Sequence, residues 1–243
     1  MMNLHKIWTI SKFKIYQIVV NMQILPILLM GMIMPVAMNF ILPRTDEFAQ
    51  GNVRSIMIIS MGFIFIAGMG SAMTGMMSLV EEKEKKTLRV LMTSTVTSLE
   101  FLIATLLPTV VLLLLLSYLL IPLSGMSFSD LSLLKYGIVS LSTIVSGSII
   151  GFISGIFAKN SSEATAYSIF PLMILILVPF YSMFSEPLAK VAPYLYTNFF
   201  FSWARNFADA SLPLREVLVA LAWLLGLSVV FILLYRHNGL EKE

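Results

Sequence analysis

Few side chains in this sequence stand where a reaction could use them. Its two histidines, His5 and His237, lie in the terminal tails, so no imidazole sits within the apolar body as base, proton relay or metal ligand. The absence of cysteine removes disulfides, thiolate metal sites and Cys nucleophiles. No H-E-x-x-H, no G-x-x-x-x-G-K-[ST] and no acid pair inside an apolar run occurs. Ser71 follows Gly70, but a serine without a base is more often helix-packing glue than a nucleophile. These observations predict no catalytic residue and no metal site.

The most specific stretch is Glu81-Glu82-Lys83-Glu84-Lys85-Lys86-Thr87-Leu88-Arg89-Val90-Leu91-Met92, continuing through Thr93 to Thr97. Glu81/Lys85 and Glu82/Lys86 are i,i+4 pairs in the favourable order, acid first. Leu88, Leu91, Met92 and Thr95 then share one helical face. A charged helix thus becomes amphipathic. It serves either as a membrane-surface connection between two spans or as a docking ridge for a cytoplasmic partner, an apolar edge seated in a groove.

The elements that position this block are apolar. Of the 243 residues, 58% are hydrophobic and 12% charged, against about 45–50% and about 25% in soluble domains. Mean hydropathy is +0.90. Neither a soluble globule nor a disordered chain fits, whereas a bilayer does. Six spans are expected, at about 15–42, 55–80, 101–123, 136–158, 164–184 and 216–235, in one transmembrane unit over residues 1–243. Pro26 and Pro35 are expected to kink the first span. It is too long for a signal peptide and lacks a cleavage signature. No ionisable residue sits in the middle of any span, which disfavours ion-coupled carriers, voltage sensors and charged filters.

The chain carries a formal charge of +3. With the N-terminus cytoplasmic, ten of the sixteen Lys and Arg residues fall on the inner side, so both termini are expected in the cytoplasm. In residues 1–14, Leu4, Ile7 and Trp8 near Lys6, Lys12 and Lys14 suggest an interfacial helix, or simply the charged flank of the first span. Residues 185–215 hold short aromatic pieces broken by proline, none long enough to cross. They read equally as an outer re-entrant hairpin or as a lid over helix ends. Small residues four apart mark two spans: Gly147, Gly151 and Gly155 on the fourth, and Ala67, Ser71 and Gly75 on the second, with Gly68 and Ala72 beside them. Each stripe suits close helix packing, within the subunit or at a subunit seam.

At the 81–97 block the chain resembles the permease subunits of type-2 ATP-binding-cassette (ABC) exporters. Their pattern after the second span is an acidic-basic run, Thr-Leu, an apolar pair and Thr/Ser-Pro-Val. Glu82 to Glu84, Thr87-Leu88, Leu91-Met92 and Thr93 to Val96 match it. Lys86 replaces a usual Gly, Arg89 a usual acid and Thr95 the usual Pro, so the helix break there is softer. The resemblance implies an all-α polytopic fold with six spans, an N-terminal interfacial helix, a coupling helix after span 2 and a re-entrant hairpin between spans 5 and 6. It further implies that Glu82, Glu84, Thr87, Leu88, Leu91, Met92 and Thr95 dock a separate cytoplasmic ABC ATPase. ATP and Mg would bind that partner and no cofactor this chain. Spans 1, 2 and 5 would line a path at the seam with a second permease copy or paralogue, which places Asn39, Ser60, Phe63, Phe170 and Met173 on its wall.

The expected role is therefore non-catalytic: the membrane half of an exporter in a bacterial plasma membrane, surrounded by lipid, with no nucleic-acid partner. An uncharged wall with Met and aromatic side chains suits a hydrophobic or amphipathic cargo, a small peptide first among them. The alternative is a membrane-resident immunity or sensor protein that binds a toxic peptide without moving it. A passive channel and an intramembrane enzyme fit less well.

Overall fold

The computed structural model describes residues 4–42, 53–84, 98–182, 184–205 and 212–237. Every regular element among them is helical. The helices are α1 (Leu4–Val20), α2 (Leu25–Ile41), α3 (Val53–Glu84), α4 (Ser98–Leu123), α5 (Leu133–Phe157), α6 (Ser161–Tyr181), the short α7 (Glu186–Val191) and α8 (Asn198–Arg205), and α9 (Leu214–His237). Apart from α1, α2, α7 and α8, each is long and apolar enough to cross a membrane alone. The bent pair α1/α2 supplies a possible sixth crossing.

The first span departs from its expected shape. The chain turns by 68° between Ser11–Val20 and Leu25–Ile41, so α1 runs past residue 14 and the straight apolar segment starts at 25. The turn lies at neither proline. Asn21 Oδ1 accepts the backbone N–H groups of Gln23 at 2.8 Å and Ile24 at 3.0 Å, ending one helix and starting the next. Pro26 falls in the first turn of α2, where no N–H is missed. Pro35 stays within a continuous helix, buried next to Gly62.

α1 buries a polar stripe, Ser11 and Lys14 with Ile18, and leaves Trp8, Phe13, Ile15 and Tyr16 exposed. Ser11 Oγ donates to the Ala104 carbonyl at 3.1 Å, holding α1 against α4. This inverts the soluble pattern, as expected where the outer medium is hydrocarbon and only protein offers hydrogen-bond partners.

At about 1.5 Å per residue the 32 residues of α3 make a rod of about 48 Å. That exceeds the roughly 30 Å of a hydrocarbon core, so its charged end lies beyond the core. Midway, Ile64–Gly70 forms a π-helical stretch. Ser71 Oγ donates to the Ala67 and Gly68 carbonyls, and Thr74 Oγ1 to those of Gly70 and Ser71. These hydroxyls serve acceptors that a wide turn leaves poorly paired.

Below the wide turn α3 lies directly on α5. The two small-residue stripes meet each other. A Cβ on Gly75 would collide with the Ser148 carbonyl, one on Gly151 with the Ala72 carbonyl, and one on Gly147 with Ser71 Oγ. Both stripes thus serve packing inside the subunit. Above the wide turn α3 packs on α2 and α8. Residues 198–204 of α8 are all buried, and Phe200 stacks on Phe63 with ring centroids 3.5 Å apart and planes 7° apart. Tyr136 and Trp203 surround that pair. The aromatic segment before α9 is therefore inserted among α3, α5, α6 and α9.

Candidate coupling site at the end of the second span

α3 ends in four consecutive charges, Glu81-Glu82-Lys83-Glu84. Successive residues on a helix point about 100° apart, so four in a row look in all directions. Each meets a different part of the bundle.

Glu81 accepts from Gln17 Nε2 at 3.3 Å and from Asn21 Nδ2, the residue that turns α1 into α2. Glu82 forms an ion pair with Lys14, Nζ to Oε1 2.8 Å, with the side chains 1% and 4% exposed. Lys14 Nζ also donates to the Ser78 carbonyl at 3.2 Å. Two charges out of water are costly unless well paired, so this pair fixes how α1 sits on α3.

Lys83 Nζ donates to the carbonyls of Gly155 at 2.8 Å, Ile156 at 2.6 Å and Ala158 at 3.2 Å. These lie at the C-terminal end of α5, where carbonyls lack helical partners and the helix dipole favours a cation. Glu84 accepts from the Ser161 backbone N–H at 2.7 Å and from Ser161 Oγ at 3.0 Å. That is the N-terminal end of α6, where the dipole favours an anion. The same end is capped by its own first turn. Asn160 Oδ1 accepts the Glu163 N–H at 2.8 Å, and Glu163 Oε2 accepts the Lys159 N–H at 2.8 Å. Beside this junction, Phe13, Tyr16, Gln17, Asn21, Glu81 and Glu84 border an open cavity of about 470 Å³.

Of the residues the sequence assigns to docking, Glu82 is buried against α1 and Glu84 reaches the start of α6. Thr87, Leu88, Leu91, Met92 and Thr95 lie outside the described residues. The sequence did not single out Gln17, Asn21 or Ser161 as part of this site, and it marked Lys83 only as a member of the charge run. The legible signals were the four-charge run, whose members cannot all face solvent on one side, and the Asn160-x-x-Glu163 capping signature.

The expected path residues fall into two groups. Phe170 and Met173, 71% and 46% exposed, share an open face of α6 with Tyr167 and Ile174. Ser60 and Phe63 are buried in the bundle. Asn39 Nδ2 donates to the Leu123 carbonyl, and the Asn39 carbonyl accepts from Arg54 at 2.7 Å.

Five apolar helices of spanning length and a bent pair able to supply a sixth define a multi-pass helical membrane protein. Residues 39–235 match the family described as ABC-2 family transporter protein, and the chain belongs to that family: it is a transmembrane permease subunit of an ABC transporter. No curated protein matches the chain significantly. Members of the family are generally the non-catalytic membrane component, with the ATPase on a separate subunit, and membership implies association with such subunits.

Proposed function

We infer that this permease is half of an exporter. With a second permease, a copy or a paralogue, it forms an alternating-access path for a hydrophobic or amphipathic cargo, a small peptide being the best fit. Separate ATPase subunits, which carry the ATP and Mg, grip the ridge from Leu88 to Thr95 from the cytoplasm of a bacterial cell. Both termini lie on that side. The observation that carries this reading is the family match across 39–235. The junction at Glu81–Glu84 supports it, because a force applied just beyond residue 84 meets a rod already tied to three other helices.

The path runs along the open face of α6, at Phe170 and Met173. Asn39, Ser60 and Phe63 are engaged in internal contacts in this conformation. Phe63 joins the wall only when α8 and the upper part of α3 separate, and Asn39 only when it leaves the Leu123 carbonyl on α4.

The test is purification with co-expressed neighbouring proteins, then reconstitution in vesicles and uptake of a fluorescent amphipathic peptide. An ATPase subunit should co-purify and drive uptake. Leu88→Asp with Met92→Asp should abolish uptake while the chain remains in the membrane. Uptake and assembly that survive the double substitution would refute the docking ridge. Peptide binding with no ATPase partner would favour the immunity or sensor reading.

A further inference from the structure

We propose that Glu84 and Ser161 form a transmission link, with Lys83 as its second arm. Through it, movement of the segment after α3 reaches α6 and hence the face that carries Phe170 and Met173. Both are positioning residues, and neither touches cargo or nucleotide. The inference rests on the permease being driven by a partner ATPase.

The geometry supports the link in three ways. First, Lys83 and Glu84 are adjacent, yet they hold opposite ends of two successive helices: Lys83 the last carbonyls of α5, Glu84 the first N–H of α6. Each charge has the sign that its helix end favours. The short 158–160 connection is thereby clasped from both sides by one turn of α3. Second, α3 and α5 already move together, because their backbones touch along the glycine stripe. α6 meets α3 through side chains, Ile176 against Gly68, and the Glu84–Ser161 bond is the tie nearest the driven segment. Third, Asn160 already caps α6, and Glu163 in its first turn reaches back to the Lys159 N–H. The exposed Glu84 contact is therefore not needed to start that helix. A contact that local folding does not need, one residue before the driven segment, suits a mechanical role.

Ser161 is the first residue of α6 and its predecessor Asn160 is extended, at φ −148° and ψ 170°. Proline is well tolerated at such a position, and an extended residue suits the place before it. Ser161→Pro therefore removes both donors to Glu84 while preserving the helix. The chain has no cysteine, so spin labels at Leu115→Cys on α4 and Ile169→Cys on α6, both exposed, report the position of α6.

The experiment measures the 115–169 distance by pulsed electron resonance. It uses the complete permease–ATPase complex in lipid nanodiscs, without nucleotide and with ATP plus vanadate. The otherwise native complex should show a nucleotide-dependent shift. Ser161→Pro and Glu84→Ala should lose it, and Glu84→Gln, whose amide oxygen still accepts from the Ser161 N–H, should keep it. A shift that persists in Ser161→Pro overturns the link. So does loss in Glu84→Gln equal to that in Glu84→Ala together with failure to bind the ATPase, since Glu84 would then belong to the docking surface. No shift in the otherwise native complex overturns the driven-permease reading itself. Should Glu84→Ala fail to assemble, Ser161→Pro decides.

Discussion

Lys14 and Tyr196 show how a buried polar group behaves with and without a partner. Lys14 is paired with Glu82 and also bonded to the Ser78 carbonyl. Lys14→Met should destabilise the solubilised chain by about 3–5 kcal/mol, because it strands a buried carboxylate. The double variant Lys14→Met/Glu82→Leu should recover most of that loss. Thermal unfolding midpoints of the three proteins in one detergent provide the check. The Tyr196 hydroxyl is buried and finds no hydrogen-bond partner among the described residues. Tyr196→Phe should raise stability by about 1–2 kcal/mol. Burial also pushes the Tyr196 hydroxyl pKa up. The unfolded chain releases that proton from about pH 10, while the folded chain still holds it. Stability therefore falls as pH rises past 10, and Tyr196→Phe should show less of this alkaline loss in unfolding scans. Glu82 and Glu84 were legible as special residues because they belong to a dense charge run. Their partners were not, since Lys14 and Ser161 lie 68 and 77 positions away and no local spacing encodes such pairs.

Among the elements, the stripes of small residues were legible on both α3 and α5, since four-residue spacing is a property of one helix. That the two stripes meet each other depends on the tertiary arrangement. The contact makes graded predictions. Gly75→Ala and Gly151→Ala place a methyl group against backbone carbonyls that cannot rotate away, and each should cost about 1–3 kcal/mol. Gly226 on α9 has nothing within 4 Å of an added Cβ, so Gly226→Ala should be neutral or gain up to about 1 kcal/mol. Unfolding midpoints of the three variants should separate in that order. The bend in the first span was misplaced for the same kind of reason. Proline breaks a helix through local chemistry, so it draws attention. Asn21 turns the chain with a side chain that accepts the Gln23 and Ile24 N–H groups and also reaches Glu81, which local sequence does not encode.

For the whole molecule, composition alone made the membrane legible, because 58% apolar content has no other solvent. Outward faces of α2, α6 and α9 carry large apolar side chains, among them Phe40, Phe170 and Leu225. Hydrocarbon and a second permease are the two surroundings that suit such surfaces, and the proposed path assigns the second to α6. Met173→Cys should therefore form a disulfide-linked permease pair in native membranes under mild oxidation, and Leu225→Cys on α9 should not. The reverse pattern, read on a non-reducing gel, would move the seam to α9.

The backbone-to-backbone contact of α3 with α5 also limits the kind of stroke this protein can make. Two rods whose backbones touch at Gly75 and Gly151 cannot roll about their own axes, just as meshed gears without clearance cannot turn. They can only tilt or slide as one beam, leaving the wide turn at Ile64–Gly70 as the joint where that beam flexes.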